Sequence, residues 1–392
     1  MKNQYKRVII IILDSVGCGI QGDYKKYHSC ESNTLQSIYK SENKFSLPNL
    51  EQLGLLQAME GDVNPKNRKG ISGKMREQTS GNDTFAGVWE MFGTVFSERL
   101  RSRKTGFPKQ SIKEINAELG VEIVGNEYIS GFKALDKYYD EHAKKKGPIL
   151  YFADDGVILL AAHEKIIPAQ KLNIYGKKLA VILKGHKISR VITRPFIGEK
   201  GNFIRTERRR DYLALDNLEK ESILPLLRRG KIPLITTEHL FNIFGHPQGA
   251  HFIKGNHTNN ELIPLITDCL DKRKSKSVML FCLQDFDMHG HKKDVKGYAR
   301  SLSEFDALLP KILESLKQDD LLFITADHGC DPTTDLRGHT REYVPLLAYS
   351  PRLEGLSVYI GKRKSFADLA QTICHNFKLG HSKKGDVIYE VF

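Results

Sequence analysis

Short apolar runs that end in small, polar or acidic residues recur along the chain and predict an α/β fold. The runs at 8–13, 232–237, 277–287 and 321–325 contain mostly aliphatic, aromatic and β-branched residues, which is typical of buried strands. Stretches with helical spacing lie between them, as expected for a central, mostly parallel sheet between helices. The first run is short and is followed by Asp14 without a cleavage site, so it is predicted to be a core strand and not a signal peptide.

The middle of the chain has a different pattern from its two ends. A basic stretch with Gly106 and Pro108 opens a mixed α/β segment, which interrupts two regions with similar strand-then-carboxylate patterns. This arrangement predicts one core domain built from both chain ends, with a smaller α/β cap domain inserted into it. The predicted boundaries are 1–98 for the first part of the core, 99–216 for the cap and 217–392 for the second part of the core.

Composition and charge narrow the class of protein. The chain has 392 residues, of which 40% are hydrophobic and 27% charged, as in ordinary globular proteins. Its formal net charge is +13, but the basic residues are spread out and accompany no nucleic-acid-binding motif. A solvated basic surface that favours anionic substrates is the preferred interpretation, with nucleic-acid binding as the weaker alternative. The polar stretches 60–75 and 238–257 are predicted loops.

Cellular location follows from cysteine usage and hydropathy. The six cysteines form no CxxC pair and several lie in predicted strands, which favours free thiols in a cytoplasmic protein. No apolar run reaches the roughly 18–20 residues that cross a bilayer. Neither a membrane nor a nucleic-acid partner is expected, and the oligomeric state stays open.

Acidic and imidazole side chains follow three of the predicted strands. Because ligands gather at the carboxyl ends of strands in open α/β sheets, we expect these side chains to meet. Several carboxylates brought together repel one another unless a cation neutralises them. Mixed Asp and His ligands suit Zn, Mn or Fe better than Ca or Mg, so a metal site is preferred over a purely structural network. The residues concerned are Asp14, Asp285, Asp287, His289, His291, Asp327 and His328, with His339 in a later loop.

Thr84 stands out as a further candidate. It follows the small-residue turn 80–83 and begins an amphipathic helical pattern. Backbone N–H groups at such a helix start favour an anion. The plainer alternative for Thr84 is a helix N-cap.

Several motifs together resemble the alkaline phosphatase superfamily, and within it most closely the phosphopentomutase family. The stretches are ILDSVGCG, GNDTFAGVWE, DFDMHGH and ITADHG, with GFP, AAHEKIIP, RPFIG, RDYLAL and GHTREYVPLL elsewhere along the chain. The resemblance implies an alkaline-phosphatase-like core and an isomerase that interconverts ribose 1-phosphate and ribose 5-phosphate, or their deoxy counterparts. Another metal-dependent phosphosugar mutase or a phosphatase on the same core is the alternative.

The resemblance also implies site residues and cofactors. Thr84 would be the phosphorylated nucleophile, a sugar bisphosphate the activator, and two adjacent divalent metals, usually Mn in this family, the cofactors. DFDMHGH is one residue shorter than the family's usual form, which leaves Asp285 as the alternative to Asp287. One metal would be held by Asp287, His291 and His339, and the other by Asp14, Asp327 and His328.

Departures from the family pattern concentrate in the implied substrate contacts. Asp155, in YFADDG where the family has YTSADS, aligns with the family's acid. Arg194 matches a phosphate-binding arginine, and His239 stands near the position of a family lysine. Val88 replaces a histidine. The inserted domain would grip the phosphorylated pentose and exclude water, and its altered contacts are the reason to keep a different sugar open.

Overall fold

The computed structural model describes most of the chain, and the chain divides into two compact units. The first unit contains residues 1–97, 219–241 and 247–392, and the second contains 98–218 with 242–246. The residues described are 4–61, 68–98, 100, 103–153, 156–336 and 338–392. Within this part of the chain, no helix is both long and apolar enough to cross a membrane.

Strands and helices alternate through much of the chain. The strands are β1 (Arg7–Leu13), β2 (Gly70–Met75), β3 (Val124–Tyr128), β4 (Ile149–Phe152), β5 (Val157–His163), β6 (Arg190–Glu199), β7 (Asn202–Arg205), β8 (Arg210–Leu213), β9 (Leu234–Thr237), β10 (His251–Ile253), β11 (Ser277–Leu283), β12 (Asp320–Thr325), β13 (Val344–Tyr349) and β14 (Ser357–Arg363). The α-helices are α1 (Thr34–Ser41), α2 (Pro48–Gln52), α3 (Leu55–Glu60), α4 (Thr84–Met91), α5 (Lys109–Leu119), α6 (Gly131–Lys145), α7 (Ala169–Ile182), α8 (Leu218–Glu221), α9 (Leu224–Arg229), α10 (Glu238–Ile243), α11 (Asn259–Lys272), α12 (Asp285–Lys292), α13 (Val295–Ser315) and α14 (Asp368–Phe377).

The first unit is organised by an eight-stranded sheet with the order β10-β9-β11-β1-β12-β13-β2-β14. Strands β10, β9, β11, β1 and β12 are mutually parallel, whereas β13 runs antiparallel to both of its neighbours. Every residue of β1 is buried, as is typical of a central strand covered on both faces. The predicted α/β class with a mostly parallel sheet is therefore confirmed.

The second unit has a smaller sheet, in which β3 to β7 lie side by side and β8 pairs with β6. Alternate residues of β4 face opposite cores. Leu150 and Phe152 pack with residues of α5 and α7, whereas Ile149 and Tyr151 pack with residues of α6. This alternation is the period of two that an extended strand imposes, and it allows helices to cover both faces of the sheet.

Three local predictions were wrong. The predicted loop 60–75 ends in the buried strand β2. Its sequence GISGKM has few hydrophobic residues and gives little strand signal, and the strand forms because β13 and β14 pair with it on either side. The predicted loop 238–257 contains α10 and β10. The strand predicted at 277–287 stops at Leu283, and both of its carboxylates lie in α12.

Candidate active site

Strand register brings the acids of the first unit to one edge of the sheet. β1 lies between β11 and β12, with Leu13 opposite Leu283 and Ile12 opposite Thr325. The three parallel strands therefore end at the same level. The chain then leaves them through Asp14, through α12 and through the Asp327 segment, which is why residues more than 300 positions apart meet.

Two groups of potential metal ligands lie at this edge, and they share His328. In the first, His328 Nε2 lies 3.4 Å from Asp14 Oδ1 and 3.6 Å from Asp327 Oδ2. In the second, the ligand atoms of Asp287, His328 and His339 lie within 4.8 Å of one another. The distance from His339 Nε2 to Asp287 Oδ1 is 3.6 Å. All five residues of the two groups offer oxygen or nitrogen donors of the kinds that divalent transition metals bind.

His291 adjoins the second group. Its Nε2 lies 3.4 Å from Asp287 Oδ2 and 3.1 Å from His339 Nε2. Asp287 and His291 are four residues apart on α12, so the helix presents both on one face. Asp285 has a different role, because its carboxylate accepts a 2.8 Å hydrogen bond from the backbone N–H of Asn259 at the start of α11.

Buried oxygens in the two groups show that the residues fit a cation. Within the described residues, Asp14 Oδ1, Asp287 Oδ1 and Asp327 Oδ2 are buried and accept no hydrogen bond. Buried polar atoms normally have partners, and three orphaned oxygens in one cluster call for an explanation. Divalent cations, one in each group, are partners that would satisfy these oxygens.

The pKa values of the cluster also indicate a place for a positive charge. Burial, together with the charges of Asp327 and Asp287, raises the pKa of Asp14. Burial raises the pKa of Asp327 to about 6 and lowers the pKa of His328 to about 4. It likewise lowers the pKa of His339 to about 4. Both imidazoles are thus neutral at pH 7, with lone pairs available to a metal.

Asp287 behaves differently from the other two carboxylates. Burial alone would raise its pKa, but the hydrogen bond with His291 and the fields of His339 and His328 outweigh burial and lower the pKa overall. Asp287 is therefore the carboxylate of the cluster that is ionised most readily.

Helix α4 brings Thr84 to this cluster. Thr84 Oγ1 lies 3.2 Å from His328 Nε2. The N-cap is Asp83, whose side chain accepts a 2.7 Å hydrogen bond from Ala86 N, so the N-cap interpretation of Thr84 is wrong. Close packing requires Gly87, because a Cβ there would lie 2.5 Å from the carbonyl oxygen of Asp327. The start of α4 and the Asp327 segment are consequently in direct contact.

Arginines cluster in the second unit around Arg194 of β6. Burial, and then the charges of Arg209 and Arg205, lower the pKa of Arg194 to about 10. The Arg194 Nε atom is buried and donates no hydrogen bond within the described residues. Arg209 is engaged by Asp211 at 2.7 and 2.8 Å. An unpaired, half-buried guanidinium beside other cations is suited to an anionic group.

The other described positions that were predicted to contact substrate are not part of either metal-ligand group. His239 lies half-buried in the first turn of α10, and the ligand groups found among the described residues do not include it. Asp155 lies outside the described residues. Val88 is fully buried within α4.

Sequence reasoning missed two residues next to these sites. Cys330 lies with Asp287 and His291 in a third possible ligand group, and its position two residues after His328 was the available signal. Arg205 contributes to the arginine cluster and lies 4.7 Å over the Phe132 ring. Its place among many basic residues gave no signal.

The fold and the ligand groups define a metalloenzyme, and residues 243–381 match the model of the Metalloenzyme superfamily. Phosphopentomutases from Acetivibrio thermocellus and Caldanaerobacter subterraneus subsp. tengcongensis are 40% and 41% identical to this chain. These alignments cover 97% and 96% of this chain and 98% and 95% of those proteins. A phosphopentomutase from Thermotoga petrophila is 39% identical over 95% of each chain. The chain belongs to the phosphopentomutase family and is a metal-dependent enzyme of the mutase class.

Proposed function

We propose that this enzyme interconverts ribose 1-phosphate and ribose 5-phosphate, and their deoxy counterparts, through a phosphorylated Thr84 and a sugar bisphosphate. The observation that carries the proposal is the 3.2 Å contact between Thr84 Oγ1 and His328 Nε2 at the edge of a buried carboxylate and imidazole cluster. Full-length similarity to proteins named phosphopentomutase supports the choice of substrate.

The proposal includes two divalent metal ions, with Mn as the native metal. When bound, they would supply Lewis acidity, lowering the pKa of the Thr84 hydroxyl and balancing charge on the phosphoryl group. The residues that would hold one ion are Asp287, His291 and His339, and those that would hold the other are Asp14, Asp327 and His328.

The chain's own residues then account for group transfer. The start of α4 would offer a phosphate both the Thr84 hydroxyl and backbone N–H groups. Phosphorylated Thr84 gives its phosphoryl group to the free hydroxyl of a pentose monophosphate. The bond between phosphorus and Thr84 Oγ1 breaks as the new P–O bond to the sugar forms, and the proton released by the sugar hydroxyl restores the Thr84 hydroxyl. The resulting bisphosphate turns round and returns its other phosphate to Thr84. A bisphosphate is therefore also the activator that first loads Thr84.

The second unit would supply the grip on the substrate. We propose that segment 99–216 is a cap domain that excludes water, because water would divert the phosphoryl group to hydrolysis. Arg194, with its unpaired Nε and lowered pKa, would bind a substrate phosphate. Asp155 and His239 would contact the sugar. All six cysteines are free thiols, which supports a cytoplasmic location.

A second candidate is a mutase for another sugar, or a phosphatase, on the same core. The observation that favours it is the altered set of substrate contacts, in which Val88 stands fully buried where the family has a histidine. Release of inorganic phosphate faster than isomerisation would identify a phosphatase.

The deciding experiment is a screen of sugar phosphates with Mn-loaded enzyme, primed with a sugar bisphosphate, and with product identification. We expect the two pentose phosphates to interconvert and intact mass to show one added phosphate on the wild type. Thr84→Ala should show neither. Because Thr84 does not serve as the N-cap, this variant should keep its helix, and a full unfolding transition is the control. A primed, metal-loaded wild type that leaves both pentose phosphates unchanged would rule out the proposal.

A further inference from the structure

One buried guanidinium holds the loop that leads to Thr84. Arg341 is 1% exposed. Its Nη1 donates to the carbonyl oxygens of Thr79 at 2.9 Å and Gly81 at 2.5 Å. Its Nη2 donates to the carbonyl oxygen of Glu77 at 2.7 Å. Three alternate carbonyls of the segment just before α4 thus depend on a single side chain.

The charge of this guanidinium is compensated where it lies. Arg341 Nη1 is 2.5 Å from a carboxylate oxygen of Glu77, which is also buried. Asp23 accepts from the guanidinium at 3.4 Å, and the Tyr27 ring lies 4.1 Å from its Cζ. A planar group with five donors can serve all these partners at once, which a lysine ammonium cannot do.

Backbone N–H groups of the same loop are bound by a second charged side chain, that of Glu90. The Glu90 carboxylate accepts hydrogen bonds from Gln78 N at 2.8 Å and Thr79 N at 2.6 Å. Its other oxygen accepts from Ser365 Oγ at 2.7 Å. The carbonyl groups and the amide groups of this loop are therefore held by two different charged side chains, Arg341 and Glu90.

Arg341 belongs to the segment that carries His339, two residues earlier. A second link joins the same two segments, because Asn82 Nδ2 donates to the His339 carbonyl oxygen at 2.8 Å. We propose that Arg341 is a positioning residue that couples the His339 segment to the Thr84 loop. A metal ligand and the nucleophile are thereby ordered together, and this inference rests on the proposed function.

The expected consequence concerns rate more than binding. Misplacing a reacting group by about 1 Å can cost on the order of 10²-fold in rate, while groups that only bind substrate are unaffected. Loosening the coupling should therefore lower the rate at which Thr84 is phosphorylated and leave the KM for the sugar monophosphate in place.

Arg341→Lys tests this directly, since it keeps the charge beside Glu77 and loses most of the carbonyl contacts. We expect Thr84 phosphorylation by sugar bisphosphate to slow by about 10²-fold in single turnover. Metal content and KM should stay close to those of the wild type. Wild-type rates in folded Arg341→Lys, or equal losses of rate, substrate binding and metal content, would overturn the proposal.

A second variant covers the case in which Arg341→Lys does not fold. Asn82→Ala removes one half-buried side chain and its link to His339, and we expect a rate loss of about tenfold, in line with a hydrogen bond worth about 1.4 kcal/mol. Gln78→Ala is the matched control, because its Nε2 donates to Lys364 O, away from His339. Equal rates for Asn82→Ala and Gln78→Ala would overturn the coupling.

Hydrogen exchange separates failure of this inference from failure of the proposed function. Adding Mn²⁺ to the wild type should slow amide exchange in residues 77–84 by about tenfold or more through added order. In Arg341→Lys and Asn82→Ala this protection should be lost. If Mn²⁺ protects residues 77–84 equally in the wild type and in both variants, the coupling is refuted, whatever the sugar assays show. Coupled protection without pentose isomerisation refutes only the proposed function.

Discussion

The two units of this enzyme hold buried charge of opposite sign. The first gathers carboxylates and neutral imidazoles, and three of its buried oxygens accept no hydrogen bond within the described residues. The second gathers guanidiniums around Arg194, whose pKa burial and neighbouring arginines lower to about 10. One unit is suited to cations and the other to anions.

The comparison of the two units shows that sheets covered by helices can present side chains of opposite charge, depending on where those side chains lie on the strands. In the first unit, acids follow parallel strands, whose carboxyl ends meet because β1, β11 and β12 share one direction. In the second, Arg194 lies within β6 and Arg205 ends β7, which runs antiparallel to it. We therefore expect metal binding to depend on the first unit and substrate-phosphate binding on the second, and the following predictions test that separation.

The largest effect should come from removing one charge of the acidic cluster. Asp327→Asn is expected to lower activity by about 10³-fold or more, because several kcal/mol of metal-dependent stabilisation is lost. Since burial raises the pKa of Asp327 to about 6, its charge is unfavourable in the metal-free protein. Metal-free Asp327→Asn should therefore unfold at higher temperature than metal-free wild type at pH 8. Assays of pentose phosphate interconversion with Mn²⁺ measure the loss of activity, and scanning calorimetry with chelator measures the unfolding temperature.

Asp331→Asn is the control for this variant. Asp331 is also buried and lies in the same segment, but it accepts hydrogen bonds from Ser37 Oγ and Thr333 Oγ1 at 2.7 Å. It belongs to none of the ligand groups found among the described residues. Metal stoichiometry should be normal in Asp331→Asn, and loss of metal there as well would show that the segment fails as a whole.

A smaller effect is expected from Gly87→Ala, which tests the contact between α4 and the Asp327 segment. The new Cβ would meet Asp327 O at 2.5 Å, so the helix must shift. The resulting strain should cost about 1–3 kcal/mol of unfolding free energy, more than the roughly 1 kcal/mol of helix propensity that Ala gains. Phosphorylation of Thr84 should slow, as measured by intact mass over time. Gly22→Ala, where a Cβ meets nothing within 4 Å, should behave as wild type.

The central strands of the first unit could be predicted from sequence because a strand covered on both faces requires a continuous run of apolar residues. The apolar runs of β1 and β12 are fully buried and are followed by Asp14 and Asp327, so one pattern predicts both the strand and the acid that follows it. The helical placement of Asp287 and His291 was not predicted, although their spacing of four residues fits one helix face.

Other features could not be predicted because tertiary contacts override a weak local pattern. β2 reads GISGKM and becomes a buried strand only because β13 and β14 pair with it. The cluster around Arg194 depends on strand pairing, which places Phe196 opposite Arg205 across β6 and β7. A local pattern of basic residues contains no information about that pairing.

Removing an arginine from the basic cluster of the second unit should have a moderate effect on substrate binding. Arg194→Met removes the guanidinium and keeps an unbranched apolar stem. Losing hydrogen bonds from a charged group costs about 1.5–3 kcal/mol, so kcat/KM should fall by about 10–100-fold, mainly through KM. Metal content should be unchanged, which separates this variant from Asp327→Asn. Arg208→Ala, an exposed neighbour paired with Glu164, is the control, and an equal loss there would argue for a diffuse basic surface.

The smallest expected effect concerns a buried histidine pair in the second unit. His142 Nδ1 lies 2.6 Å from Gly147 O, and its Nε2 accepts a hydrogen bond from His163 N at 3.0 Å, so the ring is held neutral. Burial lowers the pKa of His142 below its usual value of about 6.5. The unfolded chain therefore binds the proton more readily, and this contribution to stability, present above about pH 6.5, is lost as the pH falls toward the folded pKa.

His142→Gln should remove that pH dependence, because glutamine can still accept from His163 N and does not titrate. We expect amide exchange in residues 131–163 to be faster than in wild type at pH 7.5, reflecting about 1 kcal/mol for the lost Gly147 contact. The ratio between the two proteins should shrink at pH 5.5. His186→Gln, at an exposed position of the same unit, should follow the wild type at both pH values. A constant ratio across this range would mean that the acid sensitivity of the second unit has another source. Neither substitution should change the amount of Mn²⁺ that the protein binds.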